Sequence, residues 1–401
     1  MSTTFDYSSY LDFPKAIIDK EYAEEKGVIV KHFKHYNLYI MKYNKDKLNN
    51  ENFNTLGKFR SIVTDGTKIL SSSPAKSGNL NHFIACVKSD DCVIENFFEG
   101  TMINLFYHND DWELATKGSI GAKNKFFQDS PHTFRYLFLD AFNKTYNPVT
   151  KEMWKLEDLD KTCSYTFILQ HPENQIVVPF KEPECCLIRK YKLNEWTATE
   201  YLTPEYHNQL VPCVYDDKIQ NIIKLQEDFE KKVFKYDIKG FMVYDTVNGV
   251  RVKYRNPNYE YVARLKGNNP KLQYQYYLLK QNSKISEYLY YYPNDRKVFD
   301  KYRKDLYDYT NQLWYNYHEC YIKHEKPLKE FPYEYRNHMF FLHQDFLNNL
   351  KPNNKYHSLS TVIKYINSLH PSRLMYSINY HYRQQQIDEK KSKAPSFIDN
   401  A

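Results

Sequence analysis

Residues 95–122 read ENFFEGTMINLFYHNDDWELATKGSIGA, and the reading of this stretch decides the architecture of most of the chain. β-Branched and aromatic residues dominate it, and the cluster His108-Asn109-Asp110-Asp111 interrupts them, which predicts a β-hairpin. Asn and Asp favour such a turn because their short side chains hydrogen-bond the local backbone. A metal site built from His108 and the two aspartates is the competing reading of the same residues.

Runs of the same kind lie on either side. VIVKHF, YIMKY, RSIVTD, CVIENFFEGTMINLFYH, WELAT, SYTFILQH, QIVVPF, CCLIRKY, GFMVYD and VRVKYR are bounded by Asn, Asp, Gly and Pro, as expected of short strands. Beyond Pro257 the period changes: Val298, Tyr302, Leu306, Tyr309, Leu313 and Tyr317 recur three or four residues apart, as on one face of a helix. Met339, Leu342, Phe346 and Leu350 repeat the pattern, and so do Val362, Tyr365, Ile366 and Leu369. Prolines at 293, 327, 332, 352 and 371 punctuate it. The predicted fold class is therefore α+β: an antiparallel-sheet domain over residues 1–257, an all-helical domain over 258–385 and a polar tail over 386–401.

Composition bounds the function only loosely. The 401 residues carry a formal net charge of +7, which suits a phosphate-bearing or nucleic-acid partner but falls short of a strongly basic binding protein. The excess of Tyr (39) and Phe (25) over Gly (10) is what AT-rich codons specify and says little about chemistry. The first residues hold no apolar signal core, and no apolar run approaches the roughly 20 residues of a spanning helix, so the expectation is an intracellular protein, neither secreted nor membrane-bound. The seven cysteines are odd in number and form no CxxC pair, which predicts reduced, buried thiols and no metal site. RLKGNNPKLQYQYYLLKQ and EYLYYYP are either packed helix faces or stacking platforms for single-stranded nucleic acid.

No GxGxxG, P-loop, HExxH or GxSxG is present. An ordered series of segments is: FRSIVTDG (59–66), ILSSSPAKSGNL (69–80), ENFFEGTMI (95–103), ATKGSIGA (115–122), TFILQHPENQIVV (166–178) and KGFMVYDTVNGVRVKYRNPNY (239–259). In order and spacing these resemble the ATP-dependent RNA ligases of T-even phages, members of the covalent nucleotidyltransferase superfamily. The resemblance covers most of residues 55–260, and its most specific parts are PENQIVV, TKGSIGA and the closing segment. The EGTMI and LQHPEN phrasing also looks like ligase-like proteins of large DNA viruses.

The resemblance implies a lysine nucleophile that attacks a nucleotide α-phosphate, carboxylates that bind metal and ribose, and cations that neutralise phosphate. Aligning the Lys-x-Asp-Gly segment on Gly100 puts Glu99 at the aspartate and Phe97 at the lysine. Ile168 and Lys239 fall where the family has acids. The basic positions are kept: Arg60, Lys76 and Lys117, with Lys253 and Arg255 as the closing Lys-x-Lys pair. Phe97 either fills a void in the core or stacks on a base, and His171 and Asn174 are expected to stabilise a turn.

The implied function is a catalytically inactive, RNA-ligase-like viral pseudoenzyme that holds RNA ends or nucleotide polyphosphate, with no catalytic residue and no metal ligand. Its location would be the host cytoplasm, at the viral factory, or the virion. Two alternatives share the fold. One is a structural or assembly protein of a virion, with other viral proteins as partners. The other is an active ATP-dependent ligase using ATP and Mg²⁺, with Lys88 or Lys117 as a displaced nucleophile and Glu95, Glu99 or Glu173 as replacement acids.

Overall fold

A computed structural model describes residues 2–80, 92–126, 130–147, 149–202, 219–245 and 249–393. Lys88, Cys86 and Cys213 lie outside these residues. The chain divides into two compact units, Met1–Arg264 and Leu265–Ala401.

The first unit holds the strands β1 (Ser2–Asp6), β2 (Val28–Phe33), β3 (Leu38–Tyr43), β4 (Ile62–Thr64), β5 (Ile69–Ser71), β6 (Gly78–Asn79), β7 (Cys92–Asn96) and β8 (Thr101–His108). They continue with β9 (Asp111–Thr116), β10 (Ser119–Ile120), β11 (Cys163–Gln170), β12 (Glu184–Asn194), β13 (Thr197–Leu202), β14 (Gly240–Asp245) and β15 (Arg251–Arg255). Among the described residues they form three sheets, in the orders β1-β13-β12-β11-β8-β9-β10, β6-β15-β14-β7 and β2-β3-β4-β5. The pairing is antiparallel throughout except for the short parallel contact of β6 with β15.

The hairpin expected in the opening stretch is present. His108 pairs with Asp111, and Asn109 and Asp110 take φ of 50° and 61°, a left-handed conformation that Asn and Asp tolerate. The run 92–108 is not one strand, however. It divides at residues 97–100, so that β7 and β8 belong to different sheets. QIVVPF is not a strand either, because the amides of Ile176, Val177 and Val178 donate to the carboxylate of Glu99 in place of a neighbouring strand.

Period-2 alternation sorts each sheet between two cores. Ile103 and Leu105 of β8 pack with Leu137, Phe138 and Phe142 from a helix at Phe134–Lys144. Phe106, the next residue on and so on the opposite face, meets Leu38, Ile40 and Val63 of the β2-β3-β4-β5 sheet. On the third sheet, Phe241, Val243 and Val252 pack beneath Ile222, Leu225 and Phe229 of a helix at Ile219–Glu230. The helix thus covers one face of this sheet, and alternation leaves Glu95, Met242, Tyr244 and the charged residues of β15 on the other.

The second unit is helical, with its longest helix at Arg296–Tyr321. The tyrosine-rich stretches are largely packed: Tyr276, Tyr277, Tyr288 and Tyr292 are buried, and Tyr276 and Tyr288 both contact the ring of Phe299, whereas Tyr290 is exposed. Cys92, Cys163, Cys185, Cys186 and Cys320 are free and buried. Among the described residues no helix is long and apolar enough to cross a membrane.

Candidate functional site

Strand β15 shows how the site is built. Its even positions, Val252 and Tyr254, join the apolar cluster, so alternation places Arg251, Lys253 and Arg255 together on the other face. On the adjoining strands, Met242 pairs with Lys253 and Gly240 with Arg255, while Phe97 continues β7 by donating its amide to the carbonyl of Gly240. Gly240 has φ of +139°, and a Cβ there would lie 2.1 Å from the carbonyl oxygen of Tyr254. Gly100 is equally constrained, at φ +136° with the carbonyl oxygen of Leu169 2.3 Å from a Cβ position.

Cations from all three sheets converge here. Arg60 enters β4, Lys76 precedes β6, and Lys117 sits in the two-residue turn between β9 and β10. Burial lowers the pKa of Lys76 and Lys117, and the nearby charges of Arg60 and Lys45 lower both further. Lys253 is pushed down to about 8 by burial and then by Lys76, Arg255, Arg60 and Arg251. Burial also lowers Arg60, against the opposing pull of Tyr43 and Tyr191. The five predicted basic residues therefore form one electrostatic cluster. Among the described residues Arg60, Lys76, Lys117 and Lys253 have no acidic partner, whereas Arg255 pairs with Glu260 at 2.9 Å.

Arg251 is a member of this cluster that the family alignment passed over. Its Nε and one Nη are buried without a hydrogen-bond partner, and burial with Arg189 and Arg60 nearby pushes its pKa down to about 10. The signal was legible in the sequence, since R-x-K-x-R on a strand puts all three charges on one side.

Phe97 is half-buried, and the Nζ of Lys239 lies 4.2 Å from its ring centroid while donating to the carbonyl of Phe98 at 3.1 Å. Burial pushes Lys239 down to about 8; Glu99 opposes this, and Arg255 and Arg60 reinforce it. Ile168 lies half-buried against Gly100. His171 accepts from the amide of Glu173 to cap the short turn at Pro172–Asn174, and Asn174 donates to the Thr101 hydroxyl and the Leu169 carbonyl, both structural contacts.

The nearby acids are committed. Glu99 takes the amides of Ile176, Val177 and Val178 at 2.9–3.1 Å. Glu95 meets Arg189 at 2.7 Å in a buried pair that Glu200 completes at 2.8 Å. Glu173 faces His132 at 3.0 Å. Among the described residues no three His, Cys, Asp or Glu side chains converge as metal ligands. The carboxylates of Glu99, Glu95 and Glu173 are thus engaged by backbone amides, an arginine and a histidine. A separate cavity of about 870 Å³, lined by Trp154, Asp160, Cys163, Lys190 and Lys192 among others, includes none of the cluster.

Comparison with known proteins adds sequence relatives. A 96-residue stretch is 32% identical to an RNA ligase of Rhodothermus phage RM378, spanning 22% of this chain and 20% of that one. Immediate-early protein ICP-46 of Frog virus 3 is 24% identical over 121 residues, 27% of this chain and 30% of its own length. A homolog of ICP-46 from Invertebrate iridescent virus 3 is 29% identical over 99 residues, 25% of this chain and 20% of its own. The matches thus span less than a third of each relative. No family model matches the chain. Among solved structures, a putative ATP-dependent DNA ligase from Aquifex aeolicus aligns with 83% of this chain and 80% of its own at 15% identity and a TM-score of 0.38. An archaeal ATP-dependent RNA ligase aligns with 73% of this chain and 74% of its own at 11% identity and a TM-score of 0.36. Over 22–27% of its length, then, the chain is a sequence relative of a phage RNA ligase and of the iridovirus ICP-46 proteins.

Proposed function

We propose that this chain is an RNA-ligase-like viral protein that binds nucleotide polyphosphate or RNA ends at the basic pocket and does not ligate. The observation that carries this reading is the convergence of Arg60, Lys76, Lys117, Lys253, Arg255 and Arg251 with so few compensating acids. Like charges that depress one another's pKa destabilise the cluster, and an anion relieves them. Inactivity is supported by Phe97 at the family's nucleophile position and by the engagement of Glu95, Glu99 and Glu173 elsewhere. An aromatic ring forms no bond to phosphorus.

The test is RNA binding across a salt series. Wild type should lose affinity steeply with salt, and Lys117→Glu and Lys253→Glu should each weaken binding and flatten the log–log slope by about one. Unchanged affinity in both variants contradicts the reading. The virion-protein alternative rests on the exposed aromatics of the helical unit, among them Tyr333, Phe340, Phe341 and Tyr376. It predicts copies in purified particles by mass spectrometry and no RNA affinity at physiological salt.

A further inference from the structure

Lys239 sets a buried ammonium among these cations. Its ammonium has three donors, and the carbonyl of Phe98 takes one. The Phe97 ring covers it from one side at 4.2 Å. Arg255 of β15, Arg60 ahead of β4, Glu99 after β7 and Glu260 of the helix at Pro257–Lys266 are the charged groups that act on it. Glu99 is saturated by backbone amides, and Glu260 is paired with Arg255, so neither carboxylate is free to hold a cation beside Lys239. The Lys239 ammonium therefore keeps donors beyond the one given to Phe98, and of the two arginines that act on it Arg60 has no acidic partner among the described residues.

We infer that the Lys239 ammonium does the work of a bound divalent cation here, so that the pocket takes metal-free polyphosphate. This rests on the polyphosphate reading above and specifies how the charge of the ligand is met. A metal ion would add positive charge to a site that already lacks anions, and it would occupy the phosphate oxygens that Lys239, Arg60 and Lys253 would otherwise engage. The ligand chemistry is an oligophosphate chain, whether of a free nucleotide or of an RNA 5′ end.

The experiment is equilibrium binding of inorganic tripolyphosphate, ATP, and matched RNAs with a 5′-triphosphate or a 5′-hydroxyl, each in EDTA and in excess Mg²⁺. Wild type should bind tripolyphosphate in EDTA at least as tightly as in Mg²⁺. Preference for ATP or for triphosphate RNA over the 5′-hydroxyl RNA then distinguishes the two sources. Lys239→Met should weaken binding about tenfold, the loss expected for one charge-assisted hydrogen bond, and Lys239→Arg should restore much of it. Lys239→Glu should bind poorly in EDTA and recover in Mg²⁺. Circular dichroism confirms that each variant is folded, and Lys239→Arg keeps the test decisive should Lys239→Glu fail to fold. Wild-type binding that requires Mg²⁺, an unchanged Lys239→Met, or a nucleotide covalently attached to Lys239 would overturn the inference. Binding of no phosphate ligand in either buffer refutes the pocket reading itself, a different outcome from binding that needs metal.

Discussion

At the level of single residues, an amine and an aromatic ring meet across neighbouring strands: Lys239, just ahead of β14, sets its Nζ 4.2 Å from the ring of Phe97, just after β7. This has a consequence in pH. Lys239 titrates at about 8 in the fold against 10.5 in an ordinary lysine, so between those values the unfolded chain holds a proton that the folded chain has released. Stability relative to Lys239→Met should therefore rise with pH across that window, as thermal unfolding of the two proteins would show. Phosphate affinity should move the opposite way, falling as pH passes 8 because the ligand needs the ammonium; Lys253, also near 8, adds to the fall. Affinity that stays flat from pH 7 to 9.5 contradicts both assignments. A lysine directly before Gly240 was legible in the sequence. That its amine rests on Phe97 was not, since the contact depends on pairing between strands nearly 150 residues apart.

At the level of elements, most strands were legible because alternation between two apolar cores leaves a period-2 trace. The opening run was misread as continuous, and QIVV as a strand. The run breaks at Gly100, whose φ of +136° is closed to other residues, and the carboxylate of Glu99 beside it captures three successive amides, which denies residues 176–178 a strand partner. No local pattern announces a side chain that replaces a neighbouring strand. Glu99→Gln keeps the shape but offers the three amides a weaker acceptor and an unwanted donor, so it should cost about 1–3 kcal/mol in denaturant unfolding. A cost near zero would mean that the 176–178 segment is held by something else. Arg251 illustrates the opposite case, an element-level signal present in R-x-K-x-R that a family alignment alone does not use.

At the level of the whole molecule, the site exists where three sheets meet, and a buried ion pair ties two of them. Arg189 on β12 bridges Glu95 on β7 and Glu200 on β13; burial alone would lower its pKa, but the two carboxylates raise it instead. Arg189→Met would strand two buried carboxylates and should destabilise the fold by about 3–5 kcal/mol. Every cation of the cluster belongs to the unit Met1–Arg264, so a chain ending after Gly267 should keep wild-type phosphate affinity. The change of period beyond Pro257 reads as a boundary there, while the two compact units divide at Arg264 and Leu265, inside the helix Pro257–Lys266; the convergence of Arg60, Lys76, Lys117 and Lys253 needed the sheet order. The central claim, a pocket that holds polyphosphate without reacting with it, is tested most directly by the mass of the protein after incubation with ATP, recorded under native and then denaturing conditions. The account predicts a nucleotide-bound species in the native spectrum and the bare chain mass after denaturation. A nucleotide adduct that survives denaturation, or a native spectrum with no bound nucleotide, would contradict it.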